Sequence, residues 1–223
     1  MHVKHKLHKS IFHKNRSLSA GLSVKKQTVC TVFFCLVFSL LLHMAAAAAH
    51  RQLLQQGIAE EVLRFHVLAN SDSKTDQDIK YLVRDKILSW LEQETSQEQT
   101  REDMEQFLAS HLQEITAVSD RVLASQGVLY RSSVRMEKCY FPERTYGSCT
   151  FPAGCYESLR ICLGNASGQN WWCVLFPKLC FADCLHAVVE EEQQKELQEL
   201  LTAEEYESLL RHPDRWKISF RWF

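Results

Sequence analysis

No aspartate or glutamate precedes Glu60 in this 223-residue chain, and no CxxC pair occurs among its nine cysteines. The first absence leaves Lys4, Lys6, Lys9, Lys14, Arg16, Lys25 and Lys26 as an uncompensated basic head. Such a head, followed by an apolar run, is the flank that stays on the cytoplasmic side of a membrane. The second absence removes the spacing of a thioredoxin-like redox module and of the usual zinc-binding pairs. GxSxG is missing as well, so the nucleophile elbow of the α/β-hydrolases is excluded. No internal repeat is visible, which argues against a solenoid. With the seven head residues set aside, the 26 Lys and Arg fall to 19 against 27 Asp and Glu, a net charge near −8. An acidic domain without clustered Lys and Arg is not built for phosphate contacts, so nucleic acid is not an expected partner.

After the head come Val29–Leu42 (VCTVFFCLVFSLLL) and the alanine run Ala45–Ala49. Basic head, apolar centre and small residues are the three parts of an export signal, and Ala45 with Ala47 is one register that suits cleavage. The run is also just long enough to remain as an anchor, since a span takes ~20 residues. Under either reading the chain beyond His50 lies outside the cytoplasm, with membrane contact only through the N-terminal segment. The expected organisation is a basic cytoplasmic head (1–27), an export signal or signal anchor (28–49), a polar spacer (50–61), a signalling domain (62–186) and a helical C-terminal extension (187–223).

Within the domain, Val62–Ala69 (VLRFHVLA) alternates as a strand, with Leu63, Phe65, Val67 and Ala69 on one side and His66 on the other. Asn70-Ser71-Asp72-Ser73 reads as a turn, and Ser73 with Asp76 three residues later resembles a capping box. The helix that follows carries Ile79, Leu82, Val83, Ile87, Trp90 and Leu91 at the spacing of a buried stripe. Ser96–Thr100 interrupts it. A second amphipathic helix runs from Met104 through Leu123 to Gly127. From Val128 the period changes toward two, and turns at Pro142–Thr145 and Pro152–Gly154 mark out a β-meander. Helices follow after Val188 and Thr202. The fold class expected is α+β: an N-terminal strand and two amphipathic helices packed with a small antiparallel β-meander, then a helical C-terminal region.

Candidate chemistry is sparse. Cys30 and Cys35 lie in the apolar segment, leaving Cys139, Cys149, Cys155, Cys162, Cys173, Cys180 and Cys184 in the exported part. Disulfides are the default outside the cytoplasm, and an odd number leaves at least one thiol free or paired between chains. Cys173 and Cys180 bracket a proline-containing hexapeptide, a short loop that a bridge would stabilise by roughly 2–3 kcal/mol. Cys180-x-x-x-Cys184-x-His186 is the nearest approach to a metal-ligand spacing, but no metal or cofactor is expected. His66 with Asp72 is the one arrangement that suggests acid–base work, as in a secreted cell-envelope hydrolase; the plainer reading has His66 hydrogen-bonded or at a surface and Asp72 capping a turn. No catalytic residue is therefore assigned. Trp171 and Trp172 are consecutive, so on an extended backbone they face opposite ways. One of them in a stapled loop would serve as an interface anchor.

Two blocks are more specific than any spacing: RFHVLANSDSKTDQDIKYLVRD (Arg64–Asp85), and YGSCTFPAGCYESLRICLGNASGQNWWCVLFPKLCF (Tyr146–Phe181), with PAGxYxxLR and NWWCVLFPxLC inside the second. With the export segment upstream, they make the chain resemble the stage II sporulation protein R family, secreted signalling proteins of endospore-forming bacteria. The resemblance implies export from the forespore into the space between forespore and mother cell. It also implies activation there of a membrane-embedded aspartic protease, stage II sporulation protein GA, and so processing of the mother-cell pro-sigma E factor. It carries no catalytic residues. The partner-binding residues expected on these grounds are His66, Asn70, Asp72, Arg160, Asn170, Trp171 and Trp172.

Overall fold

The first long element, α1 (Lys4–Glu61), runs through the basic head, the apolar run and the spacer without a break. The computed structural model describes residues 4–95, 100–179 and 191–210. Its contacts divide the chain into two units, Met1–Gln52 and Leu53–Phe223. The first unit is helical. From Gln27 onward α1 holds an 18-residue window of mean hydropathy 2.3, long and apolar enough to cross a membrane. Phe33, Phe34, Leu36 and Phe38 on it are all exposed. Side chains of this kind have no core of their own to enter and suit a lipid surroundings.

The second unit begins with the last turns of α1, where Ile58 is fully buried. Strand β1 (Leu63–Leu68) follows, and all six of its residues are buried. Ser73 caps the next helix, α2 (Lys74–Glu94), its hydroxyl accepting from the Asp76 amide at 3.1 Å. Ile79, Val83, Ile87 and Leu91 form the buried stripe of α2, whereas Leu82 stands on the exposed side. The single second helix expected from periodicity is two, α3 (Arg101–Ser110) and α4 (Leu112–Ser125), separated at His111. At the break Ser110 Oγ donates to Phe107 O at 2.8 Å, and His111 Nδ1 lies 2.8 Å from the same carbonyl, which also accepts from the His111 amide at 3.1 Å.

Strands β2 (Ser132–Phe141), β3 (Arg144–Tyr146), β4 (Cys149–Phe151), β5 (Gly154–Leu163) and β6 (Asn170–Phe176) complete the β part. Helices α5 (Glu191–Leu200) and α6 (Ala203–Leu210) close the described chain. The class is α+β, with a four-stranded sheet in the order β2-β5-β1-β6 and a separate hairpin, β3-β4. The sheet is mixed and not a simple meander. β1 inserts between β5 and β6, parallel to the first and antiparallel to the second. An all-apolar alternate face flanked by further buried residues makes β1 a central strand, since a central strand is covered on both sides. Gly147 opens the two-residue β3-β4 turn with φ +56°, a value such a turn needs at that position.

Both faces of the sheet are packed. Leu63, Phe65 and Val67 of β1, with Leu159, Ile161 and Leu163 of β5, meet Ile79, Val83 and Ile87 of α2 and Ile115 and Val118 of α4. On the other face, Phe141, Tyr156 and Val174 meet Phe151 of the hairpin, Ile58 of α1, and Leu197 and Leu209 of α5 and α6. This second layer covers the part of that face around Arg64. Beyond it, toward the C-terminal end of β1, stand His66 and its neighbours.

Candidate functional site

The turn after β1 is a knot of hydrogen bonds centred on Asp76. Its carboxylate accepts from Asn70 Nδ2 at 2.8 Å, Ser71 Oγ at 2.5 Å and Tyr130 Oη at 2.7 Å. These donors, that of Ser71 foremost, hold the Asp76 carboxyl below the usual carboxylate range. Asn70 then reaches the β5–β6 loop: its Oδ1 accepts from the Asn165 amide at 2.9 Å and its carbonyl from Ser167 Oγ at 2.7 Å. Asp72 Oδ1 accepts from the Gln169 amide at 2.8 Å. Lys80, almost fully buried, donates to Gln77 Oε1 and to Gln169 O. Asn70 and Asp72 thus hold the loop that leads into β6. Gly168 lets the two segments approach, for a Cβ there would sit 2.2 Å from Ser71 O.

The even-numbered residues of β1 project to the second face. Arg64 is fully buried, and its Nε donates to Cys173 O at 3.0 Å while Nη2 donates to Tyr146 Oη at 3.3 Å. Four rings surround the guanidinium, those of Phe141, Tyr146, Phe151 and Tyr156, with Phe141 nearest at 4.6 Å from the centroid. Among the described residues no carboxylate pairs with it, so rings and carbonyl dipoles take over that role.

His66 is paired in register with Arg160 on β5 and with Trp172 on β6. Its ring stacks on Trp172, centroids 4.8 Å apart and planes within 13°. Nε2 lies 3.5 Å from Cys139 Sγ, which is 3.1 Å from Ser158 Oγ. Burial, then the charges of Arg160 and Arg64, push the His66 pKa down to about 3, so the ring is neutral near pH 7. Burial raises the Cys139 thiol, which stays protonated. Arg160 pairs with Glu137 across the β2–β5 ladder, with Arg135 on the same acid at 4.0 Å.

This arrangement does not assemble a hydrolytic centre. Asp72 serves the Gln169 amide, and the neighbours of His66 are a neutral thiol, an indole and a guanidinium, none of which orients it as a base. No group of three or more His, Cys, Asp or Glu that could hold a metal occurs among the described residues. A cavity of about 580 Å³ by the end of α1 is lined by Arg101, Lys138, Glu60, Glu102 and Glu157, of mixed sign, with the free thiol of Cys155 among them. The spacing Cys180-x-x-x-Cys184-x-His186 lies outside the described residues. So does Cys180, the expected partner of Cys173; Cys139, Cys149, Cys155 and Cys162 are free thiols.

The two tryptophans do face opposite ways. Trp172 belongs to the His66 cluster. Trp171 meets Phe65 edge-on, centroids 5.6 Å apart, and carries the Arg84 guanidinium 5.0 Å above its ring. Arg84 also lies 4.8 Å from Tyr81, one of the few exposed aromatic residues of the unit. Tyr81, Arg84, Glu137 and Cys139 were not expected at a site. Period-two numbering of β2 against β5 was the one available signal for Glu137 and Cys139, and it depends on a register that sequence does not give.

Residues 59–186 match the family model described as stage II sporulation protein R. The curated stage II sporulation protein R of Bacillus subtilis (strain 168) is 36% identical over 179 residues, covering 77% of this chain and 78% of that protein. No solved structure matches. A family match over more than half the chain, with a relative this similar along most of both lengths, is decisive: the chain belongs to the stage II sporulation protein R family.

Proposed function

We propose that this sporulation protein is an exported, non-enzymatic signal that activates the membrane-embedded aspartic protease stage II sporulation protein GA. The outcome is processing of the mother-cell pro-sigma E factor. Family membership carries the reading. The apolar window in α1 supports export or anchoring, and the acidic composition that follows it suits a partner-binding role. On this reading the chain acts in the space between forespore and mother cell, and residues 53–223 meet the external face of the protease. Binding activates only if the domain prefers the active state of the protease to the inactive one.

The contact surface proposed is the β6 side of the sheet: Trp172, His66, Arg160 and Asn170 on one face and Trp171 on the other. Asn70 and Asp72 shape it by holding the loop before β6. A Cys173–Cys180 bridge would tie the far end of β6 to the segment that follows, and the absence of Cys173 from the free thiols is in keeping with it. A dose series tests the reading. Precursor cleavage should saturate near one exported chain per protease unit; turnover at strongly substoichiometric amounts, on the precursor or on isolated cell wall, would mean an enzyme.

A further inference from the structure

Four polar atoms on this face of the sheet are buried and have no hydrogen-bond partner among the described residues: Arg64 Nη1, enclosed by rings under the second layer, and, beyond that cover, His66 Nδ1, Arg160 Nε and Asn170 Oδ1. Strand register brings the last three together. His66 sits beside Arg160 on β5, and Leu68, two residues on and facing the same way, sits beside Asn170 on β6. Folded chains keep few such atoms, because each forfeits its bond to water and gains nothing in return. Three on one face, next to an indole, call for an occupant.

The chemistry of the three narrows that occupant. The charge of Arg160 is already met by Glu137, and Arg64, which has no carboxylate partner among the described residues, is fully buried behind its rings, so neither presents a bare cation to an anion at the surface. What remains is one N–H donor, Arg160 Nε, and one carbonyl acceptor, Asn170 Oδ1. His66 Nδ1 can serve as either, according to the tautomer set at Nε2. Phosphate and carboxylate supply acceptors only and leave Asn170 unmet, whereas a main-chain amide supplies one donor and one acceptor. We propose that this face binds the main chain of an extended peptide segment, with Arg160 donating to a carbonyl and Asn170 accepting from an amide N–H. The occupant is an external segment of the protease partner, and to that extent the proposal rests on the function proposed above.

The side chains of Arg160 and Glu137 are 30% and 27% exposed, so the β5–β2 side of the cluster reaches the surface although the three atoms themselves are covered. Trp172 is half-buried and stacked on the His66 ring, an apolar wall for the segment to pack on, and binding requires a side-chain movement that uncovers the three atoms. Asn170 starts β6 directly after Gln169, whose amide is fixed by Asp72, so its position is set by the loop and not by the ligand.

The test uses the full chain in detergent micelles and synthetic peptides covering the external segments of the protease, each made with ordinary and with N-methylated amides. At least one ordinary peptide is expected to bind, and its N-methylated form at least tenfold more weakly. Asn170→Leu, close to isosteric, should weaken binding about tenfold and raise the thermal unfolding midpoint, because it removes an unpaired buried acceptor. No peptide binding, or binding indifferent to N-methylation, overturns the proposal even if Asn170→Leu fails to fold. Unchanged binding by a folded Asn170→Leu overturns it too. Precursor processing by the unaltered chain reports separately on the signalling function: processing without peptide binding sinks only the peptide site, and peptide binding without processing sinks only the signalling role.

Discussion

His66 should make the stability of the second unit depend on pH in a window that ordinary carboxylates do not share. Its pKa falls from the ordinary 6.5 to about 3 because the ring is buried under Trp172 and faces Arg160 and Arg64. Between those two values the unfolded chain binds a proton that the folded chain excludes. Stability therefore rises with pH through the window and is lost as pH falls from 6.5 toward 3. Going from pH 7.5 to 4.5, this one group should remove about 2–3 kcal/mol. Asp76 does not interfere, since a depressed carboxyl loses its contribution only as pH falls below its ordinary 3.8. The comparison is His66→Phe, which keeps a ring against Trp172 and cannot titrate. Denaturant unfolding of both chains, followed by tryptophan fluorescence at several pH values, should show the unaltered chain losing about 2–3 kcal/mol more than His66→Phe on acidification. Parallel curves would show that His66 is solvated or charged in the folded chain, and the closed packing of that face would be wrong.

Arg64→Ala should cost about 3–5 kcal/mol, since it empties a ring-lined site, while Arg64→Met, which refills it, should stay within about 2 kcal/mol. Equal losses in the two, read by chemical denaturation, would mean that the charge and not the packing matters there. Asp76→Ala should lose about 3 kcal/mol by leaving Asn70, Ser71 and Tyr130 without their shared acceptor. A change below about 1 kcal/mol would show the knot to be dispensable. Gly168→Ala should cost about 1–3 kcal/mol, because its Cβ must push against the Ser71 carbonyl and not against a movable side chain. Hydrogen exchange of the Gln169 and Asn170 amides should speed up in that variant and stay slow elsewhere.

Much of the fold was legible because local chemistry and packing agree. The Ser73 cap, the α2 stripe apart from Leu82, and the strand β1 all appear where residue spacing puts them. Two features were not legible. The break at His111 leaves the apolar periodicity intact on both sides, so residue spacing carries no sign of it. The insertion of β1 between β5 and β6 is a long-range pairing, and the period of a strand says which residues share a face but not which strand lies beside it. The site followed the same division. His66 and Trp172 were visible as unusual residues, yet their stacking exists only through the β1–β6 register. Asp72, paired with His66 by proximity in sequence, belongs to the loop before β6, because a residue in a turn leaves the face its strand defined.

The central claim is that this chain signals from outside the cytoplasm to a membrane protease. Its most direct test is reconstitution in non-sporulating cells, co-expressing residues 1–223, stage II sporulation protein GA and the sigma precursor, with cleavage followed by immunoblot. An otherwise identical chain lacking residues 1–49 serves as the non-exported control. The account predicts cleavage with the complete chain and none with the control. Cleavage by both, or by neither when the protease is shown to be competent, would contradict it.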